Sequence, residues 1–179
     1  MTHVIYPAAP DDAEDLARVH VASWQESYRG LLPDSFLDRM SVHIHAERFR
    51  RSLTTPGAHD VTLLASDRNG TFGYISGSPS RNLIPGQAEV HTLYVRRTAQ
   101  RRGVGQDLLI SAARVFIAVG ARSLMISTLR DNLPARRFYE HLGGQAEAPR
   151  REPGPGGVVY EVSYVWPDIM TVMQGSSRP

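Results

Sequence analysis

The residues best suited to chemistry form a short loop, rich in glycine and arginine, near the middle of the chain. Residues Gln100–Gly105 read QRRGVG and lead directly into an amphipathic helical pattern. Glycine lets a backbone approach a ligand closely, and the first N–H groups of a helix point outward at the positive end of its dipole. Four arginines, Arg96, Arg97, Arg101 and Arg102, add positive charge around the loop. These features favour a diphosphate ligand, although the glycine spacing alone is weak evidence for one.

The sequence argues against several other kinds of site. A dinucleotide fingerprint needs a third glycine where Leu108 stands, and a P-loop needs a lysine, whereas all 20 basic residues are arginine. Cysteine is absent, which excludes thiolate nucleophiles, disulfides and cysteine zinc sites. His43 and His45 lie two positions apart in a predicted helix and therefore point apart, so we expect no metal site.

The composition is that of one soluble domain. The chain has 179 residues, of which 41% are hydrophobic and 21% charged. Its net charge of +2 is too small to imply nucleic-acid binding. It has no apolar run of the ~18 residues that a membrane span needs and no secretion signal, so we expect a cytoplasmic protein with no membrane partner. We predict a single domain over residues 1–166 and a C-terminal tail over 167–179.

The predicted order of elements, β-αα-βββ-α-β-α-ββ, indicates a mixed α/β fold with the loop after a central strand. Strand Ala88–Val95 precedes the loop, helix Gly103–Val119 follows it, and strand Arg122–Leu129 should return parallel to the first strand. Ligands of open sheets bind beyond the carboxyl ends of such strands. The other predicted strands are His3–Tyr6, Val61–Ala65, Thr71–Ser76 and a hairpin within 145–165, and the other predicted helices are Asp11–Trp24, one beginning at Asp34, Val42–Ser52 and Leu133–Leu142.

Three stretches resemble the GCN5-related N-acetyltransferase (GNAT) family. The strand Ala88–Val95 and the loop Gln100–Gly105 match its acyl-CoA motif, Q/R-x-x-G-x-G/A, in full, and Asn132–Gly143 (NxxAxxFYExLG) matches its second motif. The stretch Trp24–Pro33, WQESYRGLLP, is similar to an N-terminal sequence of bacterial members. The resemblance implies a GNAT-type acyltransferase fold: a mostly antiparallel sheet with a parallel, splayed pair of strands and helices on both faces.

The resemblance also implies acetyl-CoA as co-substrate, with no metal. Its pyrophosphate would bind the main chain of the loop, and its pantetheine arm would pair with the central strand through Leu93 and Val95, where the family has a β-bulge. Asn132 matches a position that contacts this arm. The cofactor-binding residues predicted in this way are Leu93, Tyr94, Val95, Gln100, Arg101, Arg102, Gly103, Val104, Gly105, Gln106, Asn132, Ala135 and Phe138.

Two residues are predicted to catalyse transfer to a primary amine in a ternary complex. An amine of pKa ~10.4 is mostly protonated at neutral pH, and removing its proton costs ~4–5 kcal/mol. A positioned base typically increases the reaction rate ~10²–10⁴-fold. Glu89, directly or through a water, is the candidate base, with His91 on the same strand face as a further possibility; an arginine-paired edge carboxylate is the alternative. Tyr139 matches the position whose phenol meets the cofactor sulfur, and we expect it to stabilise the thiolate; a core aromatic is the alternative.

The acceptor is left open by the sequence, between a small molecule and a peptide or protein. Tyr28 and Arg29 lie in the region that forms one wall of the acceptor pocket in the family, and with His91 they are the predicted acceptor contacts. A non-catalytic acyl-CoA-binding regulatory module of the same fold is the alternative function. An exposed edge at the final hairpin would also permit a homodimer.

Overall fold

One mixed sheet of eight strands runs through the computed structural model, which describes residues 2–79 and 84–174. The strand order is β1-β2-β3-β4-β5-β8-β6, with β7 also paired to β8, and within the described residues only β4 and β5 are parallel. The strands are β1 Val4–Pro7, β2 Val61–Asp67, β3 Gly70–Pro79, β4 Gln87–Val95, β5 Ser123–Leu129, β6 Gln145–Ala146, β7 Arg150–Gly154 and β8 Gly157–Trp166.

Helices cover both faces of this sheet. The helices are α1 Ala13–Tyr28, α2 Asp34–Asp38, α3 Val42–Thr54, α4 Val104–Ala118, α5 Leu133–His141 and α6 Thr171–Gln174. We call the side covered by α4, α5 and α6 the α4 face and the side covered by α1, α2 and α3 the α1 face. Phe116, Leu108 and Trp166 are fully buried in the larger core, on the α4 face. Leu16 and Tyr74 are fully buried on the α1 face. The predicted fold class is confirmed.

Strand β4 carries a β-bulge at its centre. Val90 is opposite Gly77 of β3 and Thr92 is opposite Ser76, so His91 is one extra residue in β4. An extra residue reverses the alternation of side chains that follows it. Val90 therefore faces the α4 side before the bulge, and Leu93 faces it after the bulge.

The predicted elements are found, with changes at their ends. Helix α1 continues past Trp24 to Tyr28, and β3 extends to Pro79. The sequence predicts a loop over Ser78–Gln87, of which Ser78 belongs to β3 and Gln87 to β4, and residues 80–83 lie outside the described residues.

The predicted tail begins with an ordered segment. Ile169 and Val172 are buried in the α4-face core, where α6 packs on α4. The end of the tail, residues 175–179, lies outside the described residues. None of the helices in the described ranges is long and apolar enough to cross a bilayer.

Candidate functional site

A gap opens in the middle of the sheet where the two parallel strands separate. β4 and β5 pair over four positions only, Gln87–Val90 with Ser123–Ile126. Beyond them, in the part of the chain that the structure describes, β4 pairs only with β3 and β5 only with β8. The separation begins at the bulge, since a bulge bends its strand and increases the local twist. The gap is thus lined by the second half of each strand.

The main chain of β4 offers hydrogen-bonding groups to this gap. The N–H of Arg96 donates to the carbonyl of Phe72 on the neighbouring strand, at 2.8 Å. Main-chain groups along a strand alternate in direction with a period of two residues. The main-chain N–H and carbonyl groups of Tyr94 therefore point to β3, as those of Arg96 do. The main-chain groups of Leu93 and Val95 point the other way, into the gap. Extended ligands with amide groups bind to such an edge as an added strand.

The predicted anion loop closes one end of the gap. The Gln100 side-chain amide donates to the Val95 carbonyl at 2.9 Å and so fixes the loop to β4. Arg101 and Gly103 both have left-handed backbone, with φ of 61° and 80°, and α4 begins at the next residue, Val104. Successive N–H groups in such a conformation, at the start of a helix, form a concave anion-binding site.

The packing of α5 holds this loop in place. A Cβ at Gly105 would lie 3.2 Å from the Phe138 ring, so the glycine allows α5 to approach the first turn of α4 closely. Asn132 caps α5 by accepting a hydrogen bond from the Ala135 N–H, and its amide donates to Thr128 of β5, both at 3.4 Å. Asn132 and Phe138 thus have clear structural roles beside the gap.

The positive charge near the loop is smaller than the sequence suggests. Glu26 of α1 accepts hydrogen bonds from the Arg96 side chain at 3.1 Å and from the Arg97 main chain at 2.7 Å. Arg96 also forms an ion pair with this carboxylate, which compensates its charge, whereas the Arg97 guanidinium donates to the Glu26 main-chain carbonyl at 2.7 Å. Arg101 and Arg102 form no ion pair with any described residue, and both are exposed.

Tyr139 of α5 packs beside the point where β4 and β5 separate, since its neighbour Tyr164 is opposite Ile126, the last residue of β5 that pairs with β4. Its side chain is 5% exposed and its ring packs against Tyr164, at a centroid distance of 5.4 Å, and against Trp166. Its hydroxyl has no hydrogen-bond partner among the described residues. Burial, and then the nearby phenol of Tyr28, raises the pKa of Tyr139 above its usual value. The phenol therefore remains protonated and is available as a hydrogen-bond donor.

A pair of phenols lies on the α1 face of the gap. The hydroxyls of Tyr28 and Tyr94 are 3.2 Å apart, and burial raises the pKa of both residues. Trp24 packs edge-on against Tyr28 at a centroid distance of 5.0 Å. The extra turn of α1 is what brings Tyr28 to this position. Arg29, in contrast, is exposed and bound by the α2 carboxylates of Asp34 and Asp38, at 3.4 Å and 2.9 Å.

Glu89 and His91 lie together near the bulge. Glu89 Oε1 is 3.9 Å from His91 Nδ1, and the opposite ring nitrogen is 2.9 Å from Ser78 Oγ. The Glu89 side chain is 39% exposed, so solvent reaches it. Within the described ranges no arginine pairs with Glu89. A half-exposed carboxylate beside a histidine can accept a proton directly or through water.

One carboxylate in the same region did not enter the sequence predictions. Glu161 lies on β8 directly opposite Leu129 of β5, which packs in the same cluster as Tyr28. Burial, and then the charge of Glu152, raises the pKa of the Glu161 carboxyl. Its signal in the sequence is a single acidic residue within the strand pattern VVYEVSYVW, which is otherwise valine, aromatic residues and one serine.

Comparison with known proteins identifies the family. The model of the acetyltransferase (GNAT) family matches residues 17–144, and the chain belongs to this family. The uncharacterized N-acetyltransferase YuaI of Bacillus subtilis strain 168 is 27% identical over 161 residues, covering 89% of this chain and 90% of YuaI.

Solved structures share the fold. A GNAT-family protein from Desulfovibrio desulfuricans matches with a TM-score of 0.71 and 23% identity, over 94% of this chain and 99% of that protein. YncA from Salmonella typhimurium, solved with its cofactor acetyl-CoA, matches with a TM-score of 0.69 and 15% identity, over 93% and 94% of the two chains. At these identities the likeness concerns the fold.

Proposed function

We propose that this protein transfers the acetyl group of acetyl-CoA to a primary amine by direct attack within a ternary complex. The observation that carries this proposal is the gap between β4 and β5. It leads from the N–H groups at the start of α4, past the main-chain groups of Leu93 and Val95, to the unpaired hydroxyl of Tyr139. Family membership and the acetyl-CoA complex of YncA support the same reaction.

The residues around the gap fit the chemical groups of acetyl-CoA in order. The loop after β4, from Gln100 to Gln106, would hold the pyrophosphate through main-chain N–H groups, with Arg101 and Arg102 as nearby cations. Leu93 and Val95 would pair with the amides of the pantetheine arm, which adds to the sheet like a strand. Acetyl-CoA supplies the activated acyl group as a thioester.

Tyr139 would stabilise the departing thiolate. Full proton transfer from a phenol to a thiolate is uphill by ~2 kcal/mol in water, because their ordinary pKa values are ~10 and ~8.5. Burial raises the pKa of Tyr139 further, which makes full transfer less favourable still. We therefore assign to Tyr139 a hydrogen bond to the developing negative charge, which strengthens as the carbon–sulfur bond breaks.

Glu89 would remove the proton from the attacking amine, directly or through water. At neutral pH only about one in a few thousand molecules of an ordinary alkylamine is uncharged. A base that removes the proton from the bound amine increases the rate ~10²–10⁴-fold. His91, at 3.9 Å, gives the proton a second acceptor and a route toward solvent. Holding the amine beside the thioester contributes more than either residue, up to ~7–11 kcal/mol.

Two measurements on the purified protein test this function. Calorimetric titration with coenzyme A should give saturable heat with one site per chain, since the gap is a single feature of the fold. A thiol-release assay with acetyl-CoA and a panel of alkylamines, amino acids and peptides with free N-termini should show release that depends on the amine. Absence of heat with coenzyme A would overturn the proposal as a whole. Binding without release for every amine would support the non-catalytic alternative instead.

A further inference from the structure

The bulge in β4 places two side chains where a regular strand would place one. Two residues of a bulged strand oppose one residue of its neighbour, and here His91 and Thr92 both lie opposite Ser76 of β3. Thr92 Oγ1 is 2.6 Å from Ser76 Oγ, so this serine already has a partner. His91 reaches the next serine along the face instead, and its Nε2 lies 2.9 Å from Ser78 Oγ. The extra residue of the bulge thus makes a second hydrogen bond between the two strands.

Ser78 and Glu89 lie on the same face of the sheet, beside the point where the gap begins. Tyr74 is buried in the α1-face core, so alternation along β3 places Ser78 on that face too. Glu89 of β4 is directly opposite Ser78 and projects to the same side. The next residue, Val90, is the last residue of β4 that pairs with β5. Together with His91, the serine and the glutamate therefore form a cluster at the edge of the gap.

The two ring nitrogens of His91 face different partners. Nε2 is held by Ser78 Oγ, and Nδ1 is 3.9 Å from Glu89 Oε1. Ser78 is only 6% exposed, whereas the side chains of His91 and Glu89 are both open to solvent. Over the described ranges, Ser78 is the one residue whose side chain forms a hydrogen bond with this ring. A hydroxyl fixed within the sheet therefore sets the orientation of a ring that solvent would otherwise leave free to turn.

A serine hydroxyl can keep this bond while the charge of the ring changes. Its oxygen has two acceptor lone pairs, so it can accept from Nε2–H both in the neutral ring and in the imidazolium. The hydrogen bond at one ring nitrogen decides the state of the other, and with the proton on Nε2 the lone pair of Nδ1 is directed toward Glu89. A proton taken up at Nδ1 then leaves both N–H groups with an acceptor, Ser78 Oγ on one side and the Glu89 carboxylate on the other.

We propose that Ser78 is a positioning residue for proton removal, which holds His91 with Nε2–H on the serine oxygen and Nδ1 directed toward Glu89. The inference rests on the acetyl transfer proposed above. In each turnover the amine proton passes to Glu89 and then, directly or through one water, to Nδ1 of His91. The imidazolium releases a proton to solvent, and Glu89 is again ionised for the next amine. Ser78 gains and loses no proton and acts only through the ring.

Thiol release at saturating acetyl-CoA tests this role, with a matched control on the same strand. Ser78→Ala should lower kcat about tenfold, the size expected for one hydrogen bond, and leave the KM of the amine and the affinity for coenzyme A unchanged. Ser78→Thr keeps the hydroxyl and should keep most of the wild-type kcat. Ser76→Ala removes the neighbouring serine and its bond to Thr92, and it should turn over like the wild type. Undiminished kcat in Ser78→Ala, or an equal loss in Ser76→Ala, would overturn the inference.

A double-mutant cycle separates positioning of the ring from a local structural effect. If Ser78 acts only through His91, replacing the serine has no further effect once the imidazole is absent. His91→Gln should lower kcat, and Ser78→Ala added to it should lower kcat no further. Equal losses from Ser78→Ala in the wild-type and His91→Gln backgrounds would show that the serine acts by another route, which contradicts the inference.

A measurement without turnover separates this inference from the function on which it rests. In ¹⁵N-labelled protein, the imidazole resonances that disappear in His91→Gln belong to His91. At a pH where the ring is neutral, their shifts should show the proton on Nε2. A proton on Nδ1 would overturn the inference and leave the acetyl transfer intact. A proton on Nε2 in a protein that releases no thiol with any amine would contradict the acetyl transfer and leave the placement of the ring by Ser78 standing.

Discussion

Replacing His20 with glutamine should make the protein less sensitive to acid. His20 is 8% exposed on the α1 face, and its Nδ1 lies 2.7 Å from the hydroxyl of Tyr74. The rings of Tyr94 and His45 also pack against it, at 5.6 Å and 4.6 Å between centroids. Burial, and then the nearby His45, lowers the pKa of His20 from 6.5 to about 3. His20 therefore stays neutral in the folded protein over most of the acid range.

The sign and size of the effect follow from proton binding in the two states. Below pH 6.5 the unfolded chain protonates this histidine and the folded chain does not, so the free energy of unfolding falls as the pH decreases. The contribution is fully present above pH 6.5 and is lost progressively down to about pH 3. At 1.36 kcal/mol per pKa unit the loss is about 2 kcal/mol by about pH 5, and at most about 5 kcal/mol over the whole window.

Denaturant unfolding of three proteins at about pH 7.5 and about pH 5 measures this loss. Between the two conditions the wild-type protein should lose about 2 kcal/mol more than His20→Gln, whose amide can still bond to Tyr74 but does not titrate. His43→Gln is the control, since His43 is on α3 and its side chain is 83% exposed. It should follow the wild-type curve. An equal loss in His20→Gln and the wild type would refute the reasoning.

Three further predictions concern the gap. Tyr139→Phe should lower kcat about 10–100-fold, because it removes one hydrogen bond to the developing negative charge. The affinity for coenzyme A, measured by calorimetry, should not change. Undiminished turnover would exclude the assigned role. Gly105→Glu should abolish coenzyme A binding in a chain that circular dichroism shows to be folded, because the side chain meets Phe138 and repels the diphosphate. The exposed Val115→Glu on the same helix should bind normally. Gly77→Ala should lower the free energy of unfolding by more than ~1 kcal/mol in denaturant, because the added Cβ would overlap the Glu89 carbonyl of β4. If the variant were as stable as the wild type, β3 and β4 could move apart there without cost.

The sequence predicts what is local in this site. The loop Gln100–Gly105 is recognisable because glycines, arginines and the start of an apolar helical pattern are adjacent in the chain. The bulge also has a local signal. Apolar residues at Ala88 and Val90 are followed by apolar residues at Leu93 and Val95, so the spacing changes from even to odd within one strand. Such a change indicates one extra residue, although here the bulge was expected only from the resemblance to the family.

What the sequence does not predict depends on contacts between distant segments. Glu26 binds Arg96 across 70 positions, and no pattern around either residue indicates the pairing. The last turn of α1 is polar apart from its final residue, so the apolar period ends at Trp24 and gives no reason to extend the helix to Tyr28. The position of Glu161, opposite Leu129, depends on the pairing of β8 with β5, which only the folded sheet provides.

The bulge in β4 explains why the gap is a property of the protein rather than a response to a ligand. Without the extra residue His91, every side chain after it would change face. Leu93 would then leave the α4-face core, and the phenol of Tyr94 would enter that core without the hydroxyl of Tyr28 that it now meets at 3.2 Å. Burying an apolar side chain is worth about 1.5–3 kcal/mol and an unpaired buried hydroxyl costs about 1–3 kcal/mol, so packing on both faces opposes a regular strand. The cores of both faces therefore hold β4 apart from β5. The proposed pairing of acetyl-CoA with β4 would then use a preformed edge, and binding would not have to order this part of the strand.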